Sequence, residues 1–401
     1  MVLVHLAVAL LAVVAASWAL RPLCRLTGQP TVVADMAAGI LLGPSLLGWL
    51  APDLGSLLFP PEVVAPLTQV AQAAVVLYMF LVGAELDFER ARAQLRSISG
   101  VAVAGVAVPV ALGALLAIRL DRGLMPTGPP LWQAAMFMGV AMAMTAFPVL
   151  ARILADTRLI ATPLGARALS CAAIADVIVW AAVGVVVGAF EQGADAAALA
   201  PIAAGGFVAG MLLVVRPLVA RAALSPIGRG PLGLPLALAA VLLVALVAEA
   251  AGVHAVVGAF LLGIGVPHES ALARTVNARL SLAVGVVLPA FFAIAGLRTQ
   301  IGLVQGISGW LACVAIMMVA TIGKWGATTV AARITGSGWM DATRLGVLMN
   351  VRGLMELVVL NVGLDLGLVS PPLYTMMVLM ALATTVMAVP LIRLLAKEVV
   401  A

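Results

Sequence analysis

Long apolar runs alternate with short polar connections along the whole chain. Stretches of about 20 mainly apolar residues, the length that crosses a hydrocarbon core, recur with no polar block long enough for a separate soluble domain. The pattern predicts thirteen spans, at about 3–20, 31–50, 62–84, 98–118, 131–151, 162–190, 199–220, 231–249, 252–266, 280–296, 304–332, 343–363 and 371–396. The first run, MVLVHLAVAL, has no basic segment ahead of it, and arginines follow it instead, so a retained helix is expected rather than a cleaved signal. The fold class is therefore an all-α polytopic membrane protein.

Composition agrees: 64% of residues are hydrophobic and 10% are charged, far from the balance of a soluble domain. Charge adds an orientation. With the N-terminus outside, seventeen of the 22 basic residues fall on inner segments, and Arg119, Arg122 and Arg298 lie outside. Lys324 and Arg352 fall within spans. This imbalance predicts an N-terminus outside and a C-terminus in the cytoplasm, in a cell inner membrane. The net charge of +5 is spread thinly over the inner segments and calls for no nucleic acid.

The three cysteines, Cys24, Cys171 and Cys313, have no metal-binding or disulfide spacing, and the three histidines are equally scattered. No phosphate-binding loop, zinc-protease motif or nucleophile elbow occurs. An enzyme and a cofactor are not expected, nor is any metal beyond a transported monovalent cation.

The informative residues are the ionisable groups at membrane depth: Asp176, inside SCAAIADVIVW, then Lys324, Arg352, Glu356 and, near a span start, Asp35. Each costs about 2.5 to 3.5 kcal/mol to insert, so such groups face a protein interior or a wet cavity and commonly act there. Asp176 lies nine residues past Arg167, and Lys324 nine residues before Arg333. At the helical rise both sit roughly 13 Å from the cytoplasmic side, near the middle of the membrane. Lys324 is one of two lysines in the chain, and an amine can change its protonation where a guanidinium cannot. A simple Asp176–Lys324 ion pair and a titrating role both fit the sequence.

Two spans read as interrupted. In FMGVAMAMTAFPVLARIL, Pro148 removes a backbone donor and is expected to free carbonyls near Met144 and Thr145. In GVLMNVRGLMELVVL, Asn350, Arg352 and Gly353 fall at mid-span. Broken backbone at this depth is tolerated where it is buried or lines a cavity. Thr145 and the freed carbonyls are placed to touch a cation, whereas Arg352 and Glu356, four apart, read as a pair that counters the exposed ends of the breaks. An interrupted span followed by one with a buried acid (5 then 6) recurs as a span with a buried lysine followed by an interrupted span (11 then 12). Parity orients the two triplets oppositely, as in an inverted-repeat transporter whose two broken helices cross at the midplane.

Six stretches in order then carry a resemblance: GILLGPSLLG from Gly39, FLVGAELD from Phe80, TAFPVLARIL from Thr145, FFAIAGLRTQIG from Phe291, GKWGATTVAAR from Gly323 and RGLMELVVLNVGLDLGLVS from Arg352. Together they make the chain, from about Gly28 to Leu395, similar to the monovalent cation:proton antiporter-2 family. The resemblance implies the sodium/proton antiporter fold, with Na+ or K+ exchanged for H+ by an elevator-type movement. It implies a division into scaffold helices 1–3 (residues 1–84), core helices 4–6 (85–190), a connecting helix 7 (191–228), scaffold helices 8–10 (229–296) and core helices 11–13 (297–401). It also implies a homodimer, Asp176 as the shared proton and cation site, and Lys324 as the core lysine that pairs with an acid near it.

Two positions depart from the family pattern: Ala175 stands where many relatives have Asp or Asn, and Asp35 where Glu is more common. With a single acid at the centre, one-for-one electroneutral exchange is expected. The chain runs from its last span straight to Ala401, so a ligand-gated potassium efflux system would need a separate regulatory subunit. A passive channel and a non-transporting membrane sensor or scaffold are the remaining alternatives.

Overall fold

A computed structural model describes residues 2–27, 29, 31–85, 95–191, 194–297 and 301–397. Asp87 of FLVGAELD, the basic residues Arg90, Arg92 and Arg298, and Gly28 lie outside the described residues. All regular structure among the described residues is helical. Among the described residues eleven helices are long and apolar enough to cross a membrane, so the protein is a multi-pass membrane protein.

In chain order the main helices are α1 (Val2–Leu26), α2 (Thr31–Leu42), α3 (Pro61–Glu85), α4 (Leu95–Arg119), α5 (Leu131–Ala143), α6 (Phe147–Asp156), α7 (Pro163–Glu191), α8 (Ala194–Gly210), α9 (Arg216–Leu224), α10 (Gly233–Ala250), α11 (Ala255–Ile264), α12 (Ala271–Leu297), α13 (Gly306–Thr321), α14 (Ala327–Ile334), α15 (Trp339–Met349), α16 (Leu354–Asp365) and α17 (Pro371–Lys397). Two of the expected spans fall outside the eleven. The stretch 252–266 forms the ten-residue α11, and 343–363 is divided between α15 and α16. In α11 and α12, as in most of these helices, apolar residues occur on every side, as they must where a helix is surrounded by lipid and by other helices.

The helices form two compact units. One contains residues 1–65, 94–179 and 292–401, the other residues 66–93 and 180–291. In the first, α4 and α5 cross at Gly113 and Gly139, where a Cβ on Gly139 would overlap the Val110 carbonyl. Likewise Gly39 of α2 lies against the backbone of Ala293 with no room for a side chain. The second unit has the same construction: Gly83 of α3 and Gly263 of α11 each touch the other helix's main chain. Without water to drive apolar surfaces together, membrane helices gain their contact from such close backbone approach.

Two helical connections widen into π turns. Met211–Val215 joins α8 to α9 just ahead of Pro217, which has no N–H to continue the α-ladder. Ile322–Gly326 joins α13 to α14 and contains Lys324. Single π turns within helices are frequent at functional positions because they re-aim one side chain without ending the helix.

Candidate functional site

The expected interruption near Pro148 is present, but it lies ahead of the proline. The α5 helix ends at Ala143, residues Met144–Ala146 are non-helical with Met144 extended, and Pro148 stands in the first turn of α6. There its missing N–H is one that would have no intrahelical partner anyway, so Pro148 opens the second half-helix and does not bend a continuous one. The other interruption runs from Asn350 to Gly353, between α15 and α16.

The two breaks bond to each other. The Thr145 hydroxyl donates to the Met349 carbonyl at 3.1 Å, and the Ala146 N–H donates to the Val351 carbonyl at 2.9 Å. Gly353 makes the approach possible, since a Cβ there would come within 2.8 Å of Val149 Cγ2 and 3.3 Å of Ala146 Cβ. Its φ of 163° is ordinary extended backbone, so space and not conformation is what glycine provides here.

A helix end leaves carbonyls without partners, and in an apolar interior each must find one. The last carbonyl of α5, on Ala143, accepts from the Lys324 ammonium; the last carbonyl of α15, on Met349, accepts from Thr145. Lys324 is fully buried and its partner is this carbonyl; among the described residues it forms no ion pair with an acid. It remains close enough to Asp176, Glu356 and Arg352 to interact with them electrostatically.

Arg352 and Glu356 meet as expected, though not on one continuous helix. Arg352 lies in the break and Glu356 in the first turn of α16, with Nη1 and Oε1 3.7 Å apart and both side chains buried. An acid in a first turn complements the partial positive charge of the helix start. The guanidinium also approaches the Ala320 carbonyl at 3.5 Å. Thr385 of α17 holds the Arg352 main chain from both sides, accepting its N–H at 3.2 Å and lying 2.5 Å from its carbonyl. Thr385 is absent from the sequence-derived set; its signal is the pair Thr384-Thr385 inside the apolar run ALATTVMAVP.

Asp176 stands at the middle of α7, 1% exposed, and neither carboxylate oxygen has a hydrogen-bond partner among the described residues. Lys324 is the charge that acts on it. A buried carboxylate in this state needs a proton or a cation. Asp176, Lys324, Arg352 and Glu356 thus belong to one electrostatic group, tied through Ala143 to the contact between the breaks.

Asp35 belongs elsewhere. It lies 3.6 Å from Arg21 and interacts with Arg152 and Asp156. Beside it, Asp156 at the end of α6 accepts from the N–H and the hydroxyl of Thr31, at 2.9 and 2.6 Å, and so caps α2. Arg152 completes this group with bonds to the Thr31 hydroxyl and an ion pair to Asp156. No cluster of three His, Cys, Asp or Glu side chains suited to a resident metal occurs among the described residues.

The chain matches the family described as sodium/hydrogen exchanger, transmembrane, over residues 9–398. It is 35% identical to the Na(+)/H(+) antiporter NhaS4 of Synechocystis, covering 91% of this chain and 90% of that protein. It is also 35% identical to cation/H(+) antiporter 17 of Arabidopsis thaliana, over 93% of this chain and 46% of that one. With the K(+)/H(+) antiporter 1 of Saccharomyces cerevisiae the identity is 30%, over 91% of this chain and 43% of that one. The chain therefore spans about half the length of several relatives. The fold is similar to that of the sodium proton antiporter MjNhaP1 from Methanocaldococcus jannaschii, with a TM-score of 0.73 over 99% of both chains at 12% identity.

Proposed function

This chain belongs to the sodium/hydrogen exchanger family of monovalent cation:proton antiporters, and from that premise we propose that it exchanges Na+ or K+ for H+ with Asp176 as the shared site. The observation that carries the reading is a buried Asp176 carboxylate with no hydrogen-bond partner among the described residues, in one electrostatic group with the lysine that serves a broken-helix end.

In this reading a proton or a cation neutralises Asp176, and both cannot hold the same charge at once. The loaded site crosses, whereas the bare carboxylate in a low-dielectric interior crosses far more slowly. Competition thereby enforces exchange. Thr145 and carbonyls of the breaks add neutral oxygen ligands, while Lys324, Arg352 and Glu356 balance the helix ends and the field around the acid.

The larger frame of the proposal has thirteen spans arranged as an inverted repeat. Core segments 85–190 and 297–401 move in elevator fashion against scaffold segments 1–84 and 229–296, with 191–228 connecting them. The protein is placed in a cell inner membrane as a homodimer, N-terminus outside and C-terminus in the cytoplasm. The relatives' names include both sodium and potassium antiporters, so both ions belong in the test.

That test is dissipation of a pH gradient in proteoliposomes on adding NaCl, KCl or choline chloride, with the wild type beside Asp176→Asn. Dissipation by Na+ or K+ that is lost in the variant is expected. Equal responses to all three salts, or an unaffected variant, would overturn the reading.

A further inference from the structure

We propose that the side-chain amide oxygen of Asn350 is a ligand of the transported monovalent cation, an inference that rests on the antiport reading and adds a residue to its site. Asn350 is 4% exposed, and its Oδ1 has no hydrogen-bond partner among the described residues. A buried amide left unpaired costs about 1–3 kcal/mol. Its presence therefore asks for a partner supplied from outside the chain.

The backbone gives no reason for asparagine. Asn350 has φ −83° and ψ 2°, a conformation open to any residue, so the left-handed preference of asparagine is not in use. Its own N–H bonds to the Gly346 and Val347 carbonyls and ends α15 without help from the side chain.

Its position favours a cation. Asn350 follows the C-terminal end of an eleven-residue half-helix, where partial negative charge accumulates. It lies between Met349, which accepts from Thr145, and Val351, which accepts from Ala146. Two residues before Thr145 is Ala143, the acceptor of Lys324, and Lys324 acts in turn on Asp176. Asn350 is thus linked by the hydrogen bonds between the breaks to the segment that holds Lys324, whose charge acts on the carboxylate with no partner of its own among the described residues. An amide oxygen, a hydroxyl and main-chain carbonyls of the two breaks, with the Asp176 carboxylate in the same electrostatic group, offer oxygen ligands suited to a hard cation and unsuited to an anion.

The discriminating experiment measures gradient dissipation over a series of Na+ and K+ concentrations for wild type, Asn350→Ala and Asn350→Leu, the last nearly conserving volume. Thermal unfolding in detergent with and without each cation accompanies it. Loss of one ligand should raise the half-saturating cation concentration about tenfold and remove most of the cation-dependent rise in Tm. The maximal rate at saturating cation should stay within about threefold of wild type, because uniform binding and not the crossing step has been weakened. Half-saturation and a Tm rise like wild type in either folded variant, or a fall confined to the maximal rate, would overturn the proposal. Asp176→Asn run alongside separates the two readings: an active Asp176→Asn removes the antiport site itself, whereas an inactive one beside unaltered Asn350 variants removes Asn350 alone.

Discussion

The hydroxyl of Thr145 donates to the main-chain carbonyl of Met349 at 3.1 Å, so a side chain in one helix break serves the orphaned end of the other. Replacement by valine keeps the shape and removes the donor. Thr145→Val should lose about 1–3 kcal/mol, the cost of a buried carbonyl left unpaired, with Thr145→Ser close to wild type. Thermal unfolding of the purified protein checks the order; equal stability of the valine and serine variants would show that the bond contributes nothing.

Gly353 permits the same contact by its lack of a side chain. A Cβ would lie 2.8 Å from Val149 Cγ2, so Gly353→Ala should reduce stability by about 1–3 kcal/mol through overpacking. The double variant Gly353→Ala with Val149→Ala should recover part of that loss, because the two side chains share one space. Additive effects in a double-mutant cycle would place the strain elsewhere.

Lys324 is held by the Ala143 carbonyl. Lys324→Met removes both that donor and the positive charge acting on Asp176, and should lower Tm and antiport together. Lys324→Arg keeps the charge on a larger planar head that cannot occupy the same point, so it should retain expression better than activity. Transport and unfolding are compared in one preparation; an arginine variant with wild-type transport would make the site a matter of charge alone.

Asp156 caps α2 by accepting from both donors of Thr31. Asp156→Ala should cost about 0.5–2 kcal/mol, the range for loss of an N-cap, while cation half-saturation stays near the wild-type value, since neither residue belongs to the Asp176 group. A large change in half-saturation would connect this peripheral cluster to the cation.

Competition at one carboxylate has a defined sign. Where Asp176 is mostly protonated, lowering pH by one unit should raise the half-saturating cation concentration about tenfold, because a cation must displace a proton from the site. With one acid at the centre, exchange should also carry no net charge. Rates across a pH series, with the membrane potential clamped at two values, test both; half-saturation independent of pH, or a current proportional to antiport, would contradict the single-site scheme.

Membrane embedding followed from the apolar run lengths and the sparse charges, because lipid imposes a length and a polarity on any segment that crosses it. The buried charges were legible for the same reason: Asp176, Lys324, Arg352 and Glu356 are conspicuous within apolar stretches. The two interruptions were also visible, through Pro148 and through the run from Asn350 to Gly353. Partners were not. The sequence left Lys324 with either an ion pair to Asp176 or a titrating role, and the structure gives it a carbonyl 181 residues away.

Tertiary structure alone decided that Thr145 reaches Met349, that Thr385 holds the Arg352 backbone and that Asp35 joins Arg21 and the Thr31–Asp156 cap instead of the central group. It also placed Pro148 after the first break, at the opening of α6. The division has a physical cause. The cost of a polar group in an apolar medium is local and is written at its own position in the chain, but the atom that relieves the cost can come from any element that packing brings within hydrogen-bond reach.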